Sequence, residues 1–272
     1  MVSKLILLGR TGMLGGYIYK YFTDKGFPIR AVEGFRVSLV TMGSIEQVLV
    51  DLGLDDQTCV INCIGKIPQR HSDPSDTDYY VVNSIFPHVL WEICKARGAK
   101  MIQPATDCVY TGSTGGYIET DVADETSAYG KSKSMGEPLE CTVIRCSIIG
   151  REVLNKTSLI EFLFKNVGGS VKGWNNHMWN GVTCLQYCKI VEQIIAENLF
   201  WKGVRHLLSP RPVSKYELLV LVKEAYGLNV EIVSVSAPIA VDKTLQTEFV
   251  ENSLLTIPDL AEQLKDLKSY TI

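Results

Sequence analysis

Short apolar runs alternate with longer amphipathic stretches through the first half of the chain. Lys4 to Leu8 is apolar and of strand length. It leads into Gly9-Arg-Thr-Gly12-Met-Leu-Gly15-Gly16, and then into a helical pattern with Tyr17, Ile18 and Tyr21 on one face that stops at Gly26. Ile29 to Val32 reads as a second strand and Val37 to Val40 as a third. Ser44-Ile-Glu-Gln47 has the capping-box pattern that opens a helix. Cys59 to Ile64 is continuously apolar, as expected of a strand covered on both faces. An Asp73-Pro74 turn leads to a long helix past Asn83 towards Ala96, with Pro87 bending or breaking it. Lys100 to Pro104 and Thr142 to Cys146 are further strands, and the helix between them stops near Pro138. This alternation predicts an α/β chain with a Rossmann-like, doubly wound parallel sheet.

The second half changes character. Between Arg151 and Asn180 lies one amphipathic helix (Leu159, Ile160, Leu163, Phe164), followed by the polar, Trp-bearing stretch GWNNHMWNG. Leu185 to Ile195 reads as a helix, His206 to Leu208 as a short strand, Ser214 to Tyr226 as a capped helix and Val230 to Val235 as a strand. The expected organisation is a nucleotide-binding domain over 1–150, to which 182–208 returns. A smaller substrate lobe is built from 151–181 and 209–272.

The bulk numbers fit a globular chain with ample core: 272 residues, 46% hydrophobic and 21% charged. A net charge of −3 and no basic run give no reason to expect nucleic acid, and no apolar stretch approaches a membrane span. The apolar run at the N-terminus is too short for a signal peptide, so a cytoplasmic location is expected. None of the eight cysteines forms a C-x-x-C or a zinc-like cluster with histidine, so no metal is expected. Cys184 and Cys188, four apart on a helix, read as core packing.

Two stretches carry chemistry. Glycines between a strand and a helix permit a tight turn and close backbone approach, and the helix N-terminus offers free N–H groups to a diphosphate. Glu33, ending the second strand, stands about where an acid binds an adenosine ribose. Asn62 and Gly65-Lys66 fall at a strand's C-terminal end, where open α/β sheets bind ligands. Downstream, Tyr129 and Lys133 are four apart and share one helix face. An ammonium beside a phenol favours the phenolate, which suits proton transfer at a carbonyl or alcohol oxygen, with Thr106 as a second hydrogen-bonding group. A Tyr-x-x-x-Lys pair alone is a common solvated helix face; the glycine turn at the chain start gives it weight. Arg10 and Arg36 favour the 2′-phosphate of NADP(H), whereas Glu33 favours NAD(H); two cations tip the expectation to NADP(H).

With these pieces on the page, the chain resembles the extended short-chain dehydrogenase/reductases, and among them the dTDP-4-dehydrorhamnose reductases and their sugar-nucleotide relatives. The resemblance is carried by GRTGMLGG, VINCIG at 60–65, VNSIFP at 82–87, ATDCVYTG at 105–112, YIETD at 117–121, YGKSKSMGE at 129–137, IRCSIIG at 144–150 and VSKYELL at 213–219. It implies Tyr129 as proton donor to a sugar C4 ketone. Lys133 would hold the nicotinamide ribose and lower the tyrosine pKa. Thr106, Asp107 and Cys108 would lie at the substrate. Gly9, Arg10, Thr11, Gly12, Met13 and Leu14, with Asn62, Cys63 and Ile64, would lie around the dinucleotide. Ile148 stands where many such reductases place a tryptophan against the sugar, and Thr41 where the family often has an acid. The implied partners are a nucleotide-sugar substrate and, in assembly, a homodimer.

Two alternatives accompany this reading. Cys108 falls where bifunctional 3,5-epimerase/4-reductases carry a catalytic cysteine, with Lys156 and His177 as candidates for the opposite sugar face. The regulatory subunit of methionine adenosyltransferase, a binding protein, is similar to these reductases too.

Overall fold

The computed structural model describes residues 1–68, 75–152, 154 and 156–271. In chain order the first half holds β1 (Lys4–Leu8), α1 (Met13–Asp24), β2 (Ile29–Ala31), α2 (Ile45–Asp51), β3 (Thr58–Asn62), α3 (Asp76–Tyr79), α4 (Phe86–Ala96), β4 (Lys100–Ala105), α5 (Ala128–Met135), β5 (Thr142–Arg145) and β6 (Ile148–Ile149). The second holds α6 (Leu159–Lys165), β7 (Ser170–Trp174), β8 (His177–Trp179), β9 (Val182–Thr183), α7 (Cys184–Ala196), β10 (Gly203–His206), β11 (Val213–Ser214), α8 (Lys215–Tyr226), β12 (Glu231–Val235), β13 (Val241–Asp242) and α9 (Leu260–Ser269). Among the described residues, one six-stranded parallel sheet runs in the order β10-β5-β4-β3-β1-β2. This is the expected α/β doubly wound sheet, and β10 returns to its edge from the second half.

Strand alternation sorts the core into two layers. Leu5, Leu7, Cys59, Ile61 and Ile144 point to one face, where Tyr17 and Ile18 of α1 and Ile190 and Ile194 of α7 cover them. Ile6, Leu8, Val60, Met101 and Val143 point to the other, under Ile45 and Leu49 of α2 and Phe86 and Leu90 of α4. Each such side chain, fully buried, contributes about 1.5–3 kcal/mol of hydrophobic stabilisation. Cys184 and Cys188 are buried free thiols in the first layer. Three smaller sheets, β11-β8-β13, β12-β7 and β6-β9, lie outside the main sheet.

Four local expectations differ. Val37 to Val40 is not a strand: Ser38 and Thr41 exchange side-chain and backbone hydrogen bonds that fold a turn, which leaves Leu39 and Val40 exposed. Ser44 precedes α2, but its own backbone is helical and its hydroxyl donates to the Thr41 carbonyl (2.7 Å), so no capping box forms. The predicted strand at His206 to Leu208 lies earlier, at β10. Pro87 does not break its helix, which runs on through α4. A π-helical segment, Tyr80–Ile85, joins α3 to α4, and this wider turn passes the position where proline has no N–H to give. The Asp73-Pro74 turn lies outside the described residues.

Candidate active site

The glycine turn between β1 and α1 closes on a Gly12 N–H to Gly9 carbonyl bond of 3.0 Å. Gly9 has φ +80, and a Cβ there would lie 2.5 Å from the carbonyl carbon of Cys63. A Cβ on Gly15 would lie 2.1 Å from the Gly9 oxygen. The turn therefore nests against the end of β3 with no room for side chains. Gly12 caps α1 and, having no side chain, leaves the first-turn amides without the usual cap hydrogen bond.

A groove of about 360 Å³ runs over this turn, lined by Gly9, Arg10, Thr11 and Gly12, by residues 32–36, and by Cys63, Ile64 and Gly65. It joins the sites that the sequence predicts for a dinucleotide: the glycine turn, Glu33 and Arg36 at the end of β2, and the exit of β3. Asn62 shapes that exit, donating to Gln103 (2.9 Å) and accepting from the Ile64 N–H (3.2 Å). Arg10 and Glu33 are paired with each other at 2.6 Å, and the guanidinium stacks 3.9 Å over the Tyr19 ring. Arg36 is exposed. Thr41 is absent from the groove, held in its turn.

A second cavity, about 410 Å³, shares Gly12, Cys63, Ile64 and Gly65 with the groove as a common wall. Thr106, Tyr129, Lys133 and Ile148 open into it, together with Met13, Leu14 and Asn62. Ser127 caps α5, accepting from the Gly130 N–H (3.2 Å), and so sets where the helix starts. Tyr129 and Lys133 then follow one turn apart. The Tyr129 ring lies edge-on to Tyr79, centroids 5.9 Å apart. Lys133 donates to the Pro104 carbonyl at the end of β4 (3.3 Å). Behind α5, Glu137 forms a buried two-point pair with Arg145 (3.0 and 2.6 Å).

The electrostatics differ from the sequence expectation in sign. Burial, then Cys108 and Asp107, push the Tyr129 phenol up; the neighbouring Thr106 hydroxyl opposes them. The phenol therefore keeps its proton at neutral pH. Burial lowers Lys133, with Glu137 acting the other way.

Asp107 and Cys108 lie under the cavity wall. The Thr106 hydroxyl accepts from the Cys108 N–H (3.2 Å) and donates to the Asp107 carboxylate (3.2 Å), and the Cys108 thiol also points to that carboxylate (3.5 Å). Asp107 is buried. Burial and then Asp107 push the Cys108 thiol up to about 12.

The two candidates for the opposite sugar face are corrected: neither Lys156 nor His177 lines the cavity. His177 contacts the Ile239 carbonyl (3.1 Å) and tilts against Trp174. Lys156 is exposed, with φ 50. In their place stand residues that sequence reasoning missed, Trp179 and Lys215. Asn83 was placed only within a helix. It joins the cofactor-side loop to α5, with its amide on Lys66 (2.8 and 3.0 Å) and Ser132 (3.1 Å).

Comparison with known proteins adds three findings. Residues 3–151 match the family described as RmlD substrate binding domain. The chain is 23% identical over 249 residues to methionine adenosyltransferase 2 subunit beta of Bos taurus, covering 83% of this chain and 72% of that protein. It is 23% identical to a dTDP-4-keto-6-deoxy-D-glucose reductase of Streptomyces niveus, covering 66% of this chain and 65% of that protein. Among solved structures, a dTDP-4-dehydrorhamnose reductase of Bacillus anthracis in complex with NADP superposes with TM-score 0.82 at 19% identity, over 100% of both chains. Among the described residues, no helix is long and apolar enough to cross a membrane.

Proposed function

The chain belongs to the RmlD substrate-binding-domain family, and from that membership and the shape of its cleft we propose that it reduces the C4 ketone of a nucleotide-linked 4-keto-6-deoxysugar with NAD(P)H. The observation that carries this reading is the shared wall: Thr106, Tyr129 and Lys133 open into a cavity that adjoins a glycine-lined groove. Gly9 and Gly15 fit a dinucleotide because a Cβ at either would fill the backbone contact that forms the groove's floor. Residues 9–14, 33, 36 and 62–64 would hold the cofactor.

A bound nicotinamide supplies hydride. The protein's task is then to manage the oxygen that gains charge. Tyr129, kept protonated by its buried site, donates its proton to that oxygen. Thr106 would donate to the same atom by turning its one proton from the Asp107 carboxylate, while the Cys108 N–H holds its oxygen in place. Lys133 stabilises the phenolate left behind and orients the ribose. A groove already holding the Arg10–Glu33 pair takes the 2′-phosphate of NADP(H) if Arg10 changes partner, and the free diol of NAD(H) through Glu33; the two arginines favour NADP(H).

Cys108 argues for simple reduction over epimerisation, because a thiol pushed up to about 12 is a poor base near neutrality. A second reading, a binding subunit, is favoured by the match over most of the chain to the adenosyltransferase subunit. The test is NAD(P)H oxidation across dTDP-, UDP- and GDP-linked 4-keto-6-deoxysugars, with Tyr129→Phe as control. Turnover is expected from the wild type, with a loss of about 10²–10⁴-fold in the variant. A variant retaining more than half of wild-type kcat overturns the assignment of Tyr129. No turnover across the panel, with co-purification of an adenosyltransferase, would favour the binding subunit.

A further inference from the structure

Lys215 begins α8, where the helix dipole disfavours a cation. Its ammonium sits 5.2 Å from the centre of the Trp179 ring. Among the described residues it makes no hydrogen bond or ion pair. The Trp179 indole N–H, almost fully buried, likewise has no acceptor. Both side chains line the cavity that holds Thr106 and Tyr129. One end of the cleft thus presents a cation with no protein acceptor, packed on the Trp179 ring.

The carboxylate whose charge acts most on Lys215 is Asp107, directly after Thr106 in the chain. The two do not meet as an ion pair. Lys243, the other cation of this corner, is drawn to Glu125 at 3.9 Å. The Lys215 ammonium thus lines the cavity beside the Thr106–Cys108 turn with its donors unclaimed, and suits a ligand oxygen that accepts from it.

Building on the reductase reading, we infer that Lys215, which lines the cavity with Thr106 and Tyr129, grips the hydroxyl on the ring carbon next to the reduced carbonyl. In a 4-keto-6-deoxyhexose the carbonyl carbon has two neighbours. C5 carries a methyl group and the ring oxygen, a weak acceptor, and C3 carries a hydroxyl, a better one. With Thr106 and Tyr129 on the C4 oxygen, a cation beside Thr106 addresses the C3 hydroxyl. Lys215 is thereby a specificity-determining residue: it selects nucleotide sugars with a free 3-hydroxyl over 3-deoxy sugars.

The test is a cycle of enzyme and substrate changes, using dTDP-4-keto-6-deoxyglucose and its 3-deoxy counterpart. Lys215→Met should raise KM for the parent sugar about 10- to 100-fold, with kcat changed by less than about threefold, as loss of a charged hydrogen bond made equally in ground and transition states requires. On the 3-deoxy sugar, wild type should already show a raised KM, and the substitution should add less than about threefold. Lys215→Arg should recover part of the loss on the parent sugar, and thermal unfolding of each variant reports whether packing around Trp179 survives. Equal losses on both sugars, or none on the parent, would overturn the inference while leaving the reductase reading intact. Failure of wild type on this pair moves the cycle to the UDP- and GDP-linked sugars, and failure across all three nucleotides sinks the reductase reading, and this inference with it.

Discussion

Glu137→Gln isolates the buried pair behind α5. The side chains of Glu137 and Arg145 are 6% and 5% exposed, so neither charge is solvated once its partner goes. Glutamine keeps the volume, which removes any cavity contribution, and its one amide oxygen leaves the guanidinium short of an acceptor and of a countercharge. Arg145 would keep Tyr110 Oη at 2.5 Å and His206 Nε2 at 3.1 Å, both neutral. Breaking such a pair by removing one partner costs about 3–5 kcal/mol. For a chain of this size that is a fall in Tm of roughly 6–20 °C, at about 2–4 °C per kcal/mol. Urea denaturation followed by fluorescence gives the free energy directly.

The same substitution has a second readout, because the Glu137 carboxylate holds up the pKa of Lys133 against the effect of burial. Reduction needs Lys133 charged, so kcat/KM is level below that pKa and falls as pH rises through it. Burial places the limb below the ordinary lysine value of 10.5, and loss of Glu137 moves it to still lower pH. A stability loss under about 1 kcal/mol would refute the account of the ion pair, since that is the cost of an ordinary hydrogen bond. An alkaline limb that stays in place would refute the coupling to Lys133.

Two further outcomes are expected. Gly9→Ala should cost at least about 1–2 kcal/mol for a side chain in the left-handed region, and more from the clash with Cys63; wild-type urea stability together with wild-type cofactor affinity by fluorescence titration would contradict the packing described for the turn. Glu33→Ala frees Arg10 from its 2.6 Å partner and removes a charge that repels the 2′-phosphate; the ratio of NADPH to NADH affinity should rise roughly tenfold, the scale of one charge-assisted hydrogen bond, and an unchanged ratio would remove the basis for the NADP(H) preference.

The glycine turn, the Tyr129 helix and the parallel sheet were legible because each is a local pattern with one physical solution. Strands buried on both faces must be apolar throughout, and a turn at φ +80 must be glycine. Val37 to Val40 was misread because an apolar run carries no sign of the hydroxyls at Ser38 and Thr41 that compete for its backbone. Lys215 and Trp179 were missed because they reach the cleft from β8 and α8, some fifty to ninety residues beyond the motif they face. One signal was available for Lys215: a cation opening a well-capped helix runs against the dipole. The sign of the Tyr129 shift was not legible, since it is set by burial and by two neighbours on the turn after Thr106.

The π-helical segment at Tyr80–Ile85 also limits what this chain can lose. A Cβ on Gly136, just past α5, would sit 1.6 Å from the Asn83 carbonyl oxygen, the one that Pro87 leaves without its usual helical donor. That oxygen and the Asn83 side chain fix the rotation of the segment against α5 and the Lys66 loop at once. Deleting a single residue there would restore ordinary helical winding and swing everything upstream by about 100°. Tyr79 would leave Tyr129, and Asn83 would leave one or both of its partners. The extra residue in the turn is thus a spacer whose length cannot drift, even though none of the segment's side chains lines the cavity.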